Sequence, residues 1–575
     1  MTALIPSRCI AAYVLVALAV APAVATLLLS HKEPAPVLAA ELQPRIVLNQ
    51  PDAVCATCHR EIYEKYEKTS MARGGGIATD GLLSGKFTHA QSGISYSVFL
   101  RDGAAWMSYT RPFTDPRGSL NGERRLDLYI GSSHRGRTYL YNEVGRWYEL
   151  PINFYTRRNG WAMAPAFDNA ASMPAPLPVD ANCLHCHATE LQPALADARN
   201  HYNDLPFHQA GIGCSACHGD PAQHLAQQGH GPIVNPDKLQ PALRDSACIQ
   251  CHLEGDAVVY RPGRSLAQFV PGDNLADIAV YFVKANQQGG GHRATSQYEA
   301  LLRSACKRAS GHKLTCTTCH DPHSDQSPAK RVSYFRGRCL SCHTEPAMAT
   351  HHSEEPDCAK CHMPALGTVD ISHEQVTDHD IEVHLKSQPA PRDSKSSAIE
   401  LVPVGDFKAG NRELGLAYAQ FAERGDRKSA ETALRLLSTV PPIKPADVEV
   451  MVRLGFLQQV NGDVAAARAA YRSALEANPW EPTALGNLAV LDAGSGKAGE
   501  AIQLLQKLVN ADPSQTKAGL NLAFIECELH QTEDAKSILN RLARSNPDDP
   551  QLRQFLKTGT YLDRHCSLPG ITQSR

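Results

Sequence analysis

Residues 214–218 read Cys214-Ser215-Ala216-Cys217-His218, and blocks of the same form, Cys-x-x-Cys-His, open at Cys55, Cys183, Cys248, Cys316, Cys339 and Cys358. This block is the attachment signal for c-type haem. The two thiols add across the porphyrin vinyl groups, and the adjacent histidine becomes the proximal iron ligand. Zinc clips, redox dithiols and disulfides also use paired cysteines, but none needs histidine directly after the second one. Seven haem c groups are therefore expected. Their thioether bonds fall on Cys55 and Cys58, Cys183 and Cys186, Cys214 and Cys217, Cys248 and Cys251, Cys316 and Cys319, Cys339 and Cys342, and Cys358 and Cys361. The proximal ligands are His59, His187, His218, His252, His320, His343 and His362.

Working outward, the motifs absorb 14 of the 18 cysteines and leave Cys9, Cys306, Cys527 and Cys566, whose scatter argues against a disulfide framework. A formal charge of −2 names neither nucleic acid nor an acidic surface as partner. At 575 residues the chain should hold more than one domain. Aromatics are 6% of it, thin for an ordinary core, and macrocycles would supply the missing apolar bulk.

Arg8 precedes an apolar run from Cys9 to Leu29 that exceeds a usual signal-peptide core and approaches a membrane span. Residues 1–41 read as a signal peptide or an N-terminal membrane anchor, with a small-residue site at Val37-Leu38-Ala39-Ala40. Either way the rest of the chain is expected outside the cytoplasm, periplasmic or otherwise exported.

Residues 42–384 form the expected haem domain. Motif 1 stands 128 residues before motif 2, and between them Ile94, Tyr96 and Val98 alternate with serines ahead of Arg101-Asp102-Gly103, a hairpin turn signal. Trp106, Tyr109, Leu126, Leu128, Ile130, Tyr139, Tyr141, Trp147 and Tyr148 continue the pattern, which predicts a small β-rich insert at about 86–160. Motifs 2 to 7 crowd together with gaps of 31, 34, 68, 23 and 19 residues, so neighbouring macrocycles should lie nearly in contact. A Ser/Pro/Lys linker occupies 385–410. Beyond it Asn478-Pro479, Asp512-Pro513 and Asn546-Pro547 stand 34 residues apart, as do Ala467, Ala501 and Ala535. That period is the tetratricopeptide signature, and it assigns 411–556 to such repeats and 557–575 to a tail. The expected fold class is mainly α: a compact multihaem cytochrome c module with a small β-rich insert, plus an α-solenoid of tetratricopeptide repeats.

The words Cys55-Ala56-Thr57-Cys58-His59 with Thr69-Ser70-Met71-Ala72, Cys214–Gly219 with His224, Cys316–His320 with Asp321-Pro322-His323, Cys358–Pro364 and Thr377-Asp378-His379 resemble the multihaem cytochromes related to cytochrome c554. Hydroxylamine oxidoreductase and pentahaem nitrite reductase are more distant likenesses. The resemblance implies a haem scaffold over residues 50–384, with histidines from one motif's neighbourhood bracing the haem of another.

Eighteen histidines lie outside the proximal positions. His323 and His224 follow their own proximal ligands too closely to wrap round the same ring, so each is a candidate distal ligand for a neighbouring haem. His89, His134, His352, His373 and His379 complete the distal candidates, and Met71 stands where related cytochromes often place histidine. Methionine there gives Met/His ligation with a raised potential, or it packs. Cys306, beside Lys307 and Arg308, is either a reactive thiolate or a buried structural cysteine.

Two functions follow. In the first, mostly bis-histidine haems carry electrons to and from redox partner proteins while the repeats dock a protein partner, with no catalytic residue and no nucleic acid involved. In the alternative, one five-coordinate haem makes the chain an oxidoreductase of a small nitrogen or sulfur oxyanion. The absence of a Cys-x-x-Cys-Lys site counts against the nitrite reductase version.

Overall fold

The computed structural model describes residues 46–131, 135–165, 167–285, 293–344, 355–368, 371, 374–381, 398–566 and 568. The leader, the first half of the linker, His134, His352 and His373 lie outside the described residues. No helix among those described is long and apolar enough to cross a membrane.

Ten strands follow the first motif: β1 Gly75–Ile77, β2 Gly85–His89, β3 Ile94–Arg101, β4 Ala104–Arg111, β5 Leu120–Leu126, β6 Leu128–Ile130, β7 Gly136–Glu143, β8 Arg146–Tyr155, β9 Gly160–Met163 and β10 Leu177–Pro178. Asp102 and Gly103 both take positive φ, 52° and 74°, and join β3 to β4 with Arg101 opposite Ala104. Positive φ at both central residues is what a tight hairpin turn demands, and it sets the register that buries Ile94, Tyr96 and Val98. Strands β2-β3-β4-β5 make one antiparallel sheet; β1-β6-β7-β8-β10, with β9 beside β8, make a second. The two enclose one core, in which Tyr96, Met107 and Tyr109 meet Tyr139, Tyr148, Leu150 and Ile152.

The insert is therefore two packed sheets and reaches from Gly75 to Pro178, beyond the 86–160 read from the sequence. Its outer strands are two or three residues long, too short to show alternation. Strands make up 19% of the described residues. The expectation of a mainly α chain is met in the repeats, while the haem-motif half is mixed.

Short pairs β11 Ala188–Leu191 with β12 Phe207–Ala210, and β13 Ala257–Tyr260 with β14 Ala279–Lys284, follow, then β15 Ala365–Gly367 with β16 Gln375–Thr377. Among them lie helices α1 Ala56–Tyr66, α2 Ala181–Leu184, α3 Ser215–His218, α4 Ala222–Ala226, α5 Pro241–His252, α6 Gln297–Arg303, α7 Ala305–Ser310, α8 Cys316–Cys319, α9 Pro328–Leu340 and α10 Cys358–His362.

The repeats are helical hairpins: α11 Asn411–Glu423, α12 Arg427–Leu437, α13 Val448–Val460, α14 Val464–Ala477, α15 Pro482–Gly494, α16 Ala498–Ala511, α17 Thr516–Glu528 and α18 Thr532–Ser545, closed by α19 Pro550–Thr558. Ala467, Ala501 and Ala535 are fully buried where paired helices cross. At Gly455 and Gly519 an added Cβ would come within 2.6 Å of Tyr471 and 2.7 Å of Leu542, so small residues are required there.

The repeats are bound into the rest of the chain at two places. β17, Leu401–Pro403, in the stretch read as linker, pairs with β14, and Val259, Tyr281 and Phe282 share a core with Leu416, Leu437 and Leu457. Farther along, the turns between repeats grip the two-sheet insert. Arg111 is ion-paired to Asp548 with both side chains fully buried, and Asp548 also accepts from the Met173 amide at 2.7 Å. Arg146 donates to the Ala511 carbonyl at 2.7 Å.

Cys527 and Cys566 form a disulfide that ties the C-terminal hairpin, β18 Thr560–Tyr561 with β19 Arg564–His565, to α17. The scatter of the spare cysteines in the sequence had argued against such a bond. Their 39-residue separation is spanned because the last repeat folds back on itself.

Candidate haem-binding site

Each motif lies in or against a single helical turn. The amides of His59, His218, His320 and His343 bond back to the carbonyls of Cys55, Cys214, Cys316 and Cys339 at 2.8–3.0 Å. One such turn puts both sulfurs and the imidazole on the same side, as a macrocycle held at three points requires. None of the fourteen motif cysteines takes part in a disulfide.

The motifs are pressed together. Cys55, Cys214 and Asp52 bring their ligand atoms within 4.8 Å of one another, joining motifs 1 and 3. Asp52 sets this junction by accepting from the Cys214 amide at 3.0 Å and from Gln209 at 2.7 Å. Tyr66 of α1 adds a bond to the Ile212 carbonyl at 2.6 Å. Cys186 neighbours Cys251, Cys248 neighbours Cys316, and Cys339 neighbours Cys358. These contacts connect motifs 2 with 4, 4 with 5, and 6 with 7.

Three motif histidines face a histidine from another segment. His59 lies 6.5 Å from His224 between ring centres, His218 lies 6.0 Å from His323, and His320 lies 6.2 Å from His379, with interplanar angles of 17°, 10° and 25°. Two metal–nitrogen bonds of about 2 Å, plus about 1.1 Å from each nitrogen to its ring centre, give roughly 6.2 Å. The pairs are thus spaced as an iron between two imidazoles needs.

Their orientation fits as well. The Nδ1 atoms of His218, His224 and His379 donate to the carbonyls of Val234 at 2.7 Å, Gly231 at 2.9 Å and Thr377 at 2.9 Å. That leaves each Nε2 for a metal, the usual way an outer hydrogen bond fixes a ligating ring. Burial lowers His187, His252, His323 and His379. Burial first, then His379 and His252, press His320 down to about 4. These rings are neutral, the form that binds metal. The residues present fit haem c.

His224, His323 and His379 are therefore brought opposite motif histidines, each belonging to a different motif from its own chain neighbour. The carbonyls that aim them were invisible in the sequence, because any residue supplies a carbonyl. His89 is a correction. Its Nδ1 meets Ser92 Oγ at 2.9 Å and its Nε2 the Asp168 carbonyl at 3.0 Å, inside the β insert, so both nitrogens are taken and none remains for iron. Cys306 is half-buried, and burial first, then Cys342, raise its thiol. The Lys307 ammonium is spent on the Leu314 carbonyl at 2.8 Å. Met71 is half-buried between motifs, its carbonyl accepting from Ile212 at 2.9 Å.

Comparison with known proteins finds likenesses to multihaem cytochromes and to tetratricopeptide repeats. The family "Cytochrome c554 and c-prime" matches residues 162–219, and "Tetratricopeptide repeat" matches 461–515 and 492–557. The multiheme cytochrome MtrA of Shewanella baltica is 22% identical over 175 residues, 28% of this chain and 52% of that protein. The C-type polyheme cytochrome OmcB of Geobacter sulfurreducens is 24% identical over 168 residues, 28% of this chain and 20% of that protein. The chain thus spans about half the length of one of these relatives and a fifth of the other. Among solved structures, MamA AMB-1 is 20% identical with a TM-score of 0.23, covering 25% of this chain and 74% of its own. A tetratricopeptide repeat protein from Parabacteroides merdae is 23% identical with the same TM-score, covering 25% and 56%.

Proposed function

From a chain that is a multihaem c-type cytochrome of the cytochrome c554 kind joined to tetratricopeptide repeats, we propose an exported electron carrier with haem c at all seven motifs. The observation that carries this reading is the set of three facing imidazole pairs at 6.0–6.5 Å, each closed by a histidine from a different motif's neighbourhood. Haem c, when bound, supplies reversible one-electron iron chemistry. The chain's part is to hold and space the sites. His59 with His224, His218 with His323, and His320 with His379 would hold the haems of sites 1, 3 and 5 from both sides. The Gly231, Val234 and Thr377 carbonyls fix His224, His218 and His379, and the Asp52 junction keeps sites 1 and 3 together. A haem held from both sides would offer no face to an oxyanion.

Export is supported by the apolar run at Cys9–Leu29 and by the Cys527–Cys566 bond, since disulfides persist outside reducing compartments. The repeats are read as docking a protein partner on the surface that their own contacts with the insert leave open.

A second reading is kept by one observation. With His89 occupied by Ser92 and Asp168, the sequence candidates left for sites 2, 4, 6 and 7 are His134, His352, His373 and Met71. If Met71 only packs and no other histidine takes its place, one haem would keep an open face and the oxidoreductase alternative would gain a site. The spin state decides. The holoprotein should show seven haem additions by mass and no high-spin ferric signal. His224→Ala should create one high-spin haem and leave the rest. High-spin ferric haem in the unaltered protein, together with turnover of nitrite or hydroxylamine, would overturn the carrier reading.

A further inference from the structure

The carrier reading leaves open where electrons enter, and the helix between motifs 5 and 6 supplies the answer; this inference rests on that reading. α9 runs Pro328-Ala329-Lys330-Arg331-Val332-Ser333-Tyr334-Phe335-Arg336-Gly337-Arg338-Cys339-Leu340, with four cations and no anion. Phe335 stands edge-on to His320 at 5.5 Å between ring centres, which fastens the helix to motif 5. Its last turn contains Cys339, the first cysteine of motif 6.

Arg331, Tyr334 and Arg338, spaced i, i+3 and i+7, share one face. Arg338 donates to the Tyr334 hydroxyl at 3.1 Å and its guanidinium lies 5.0 Å from the ring centre. Lys330, Arg331 and Arg338 are exposed, and among the described residues none has a carboxylate partner. Several arginines elsewhere are ion-paired, among them Arg101 with Glu123, Arg412 with Asp447 and Arg468 with Asp492. Motif 6 is also the motif whose two cysteines and histidine, Cys339, Cys342 and His343, are all exposed, whereas those of motifs 3 and 7 are at least partly covered.

We propose that this face is an electron port. An acidic redox protein docks on Lys330, Arg331 and Arg338, and one electron passes from its reduced centre to the ferric iron held at motif 6. That iron becomes ferrous, and no bond is made or broken. Unpaired cations beside an exposed cofactor edge draw an anionic surface toward it and orient it, an effect carried by encounter rate and weakened by salt.

The test is stopped-flow reduction of the full seven-haem protein by a reduced acidic [2Fe–2S] ferredoxin, with the cationic hexaammineruthenium(II) ion as the second donor. The ferredoxin rate should fall at least about ten-fold from about 10 to about 300 mM salt. Combining Lys330→Glu, Arg331→Glu and Arg338→Glu should lower the low-salt rate by a similar factor while leaving or raising the rate with the ruthenium ion. The milder set Lys330→Gln, Arg331→Gln and Arg338→Gln, with full haem content, should fall between. A Gln variant with full haem content and the parent's ferredoxin rate and salt slope would overturn the port and leave the carrier reading standing. Failure of both donors to reduce the unaltered protein would instead sink the carrier reading.

Discussion

At the scale of the residue, what a side chain can do here depends on which of its atoms are already engaged. His89 and His224 show the contrast. One has both ring nitrogens satisfied by protein, while the other has Nδ1 held by the Gly231 carbonyl and its ring turned to His59. Glu149 in β8 gives a second case, with a consequence for stability. Burial raises its carboxyl to about 7, against a bond from Thr138 that pulls the other way. Between about 4.5 and about 7 the folded chain therefore holds a proton that the unfolded chain has released. Stability contributed by this group should fall as pH rises through that window and level off above it. Glu149→Gln should flatten that part of the melting temperature–pH curve and raise the melting temperature above pH 7. An unchanged slope in the variant would assign it to other groups.

At the scale of the element, short pieces carry the chemistry and a cross-link steadies the end. The four- and five-residue helices of motifs 2, 3, 5 and 7 are too brief to be stable alone, since helix nucleation costs more than one turn returns; the Asp52 junction holds motif 3 in place. The last 34-residue repeat is covered in its own way. Its cover is α19 with the β18–β19 hairpin, where Phe555 and Tyr561 pack on Phe524, and the Cys527–Cys566 bond pins that cover down. Closing a loop of 39 residues restricts the unfolded chain by roughly 3–4 kcal/mol. Cys527→Ser with Cys566→Ser should lower the stability of the repeat region by that order and leave the haem absorbance untouched. Denaturant titration followed by far-UV circular dichroism and by the Soret band would separate the two signals.

At the scale of the whole molecule, the two halves share a core at one place and a buried charge at another. Asp548 answers Arg111, Arg553 and the Met173 amide in a position without solvent access. Removing one partner of such a cluster leaves uncompensated charge, at a cost of about 3–5 kcal/mol. Asp548→Ala should therefore loosen the repeats from the insert. Hydrogen exchange should rise at Arg111–Arg117 and around Met173 as well as in the repeats. Protection lost in the repeats alone would mean that the contact does not couple the halves.

The haem-attachment motif and the 34-residue period are legible because they are local: a haem needs two cysteines and a histidine within one turn, and a repeat must bury the same small residue each time. The β3–β4 hairpin was legible for the same reason, since Asp102-Gly103 is a turn signal in itself. Which histidine faces which, by contrast, depends on where the chain returns many turns later, and no local pattern encodes that. His323 reaching His218, Asp548 reaching Arg111 and Cys566 reaching Cys527 are decisions of packing. His89 looked like a ligand because its sequence could not show that Ser92 and the Asp168 carbonyl occupy both of its nitrogens. Only the tertiary structure brings those acceptors and donors within reach, because a hydrogen bond or a metal bond is a statement about distance, and distance between remote residues is what folding sets.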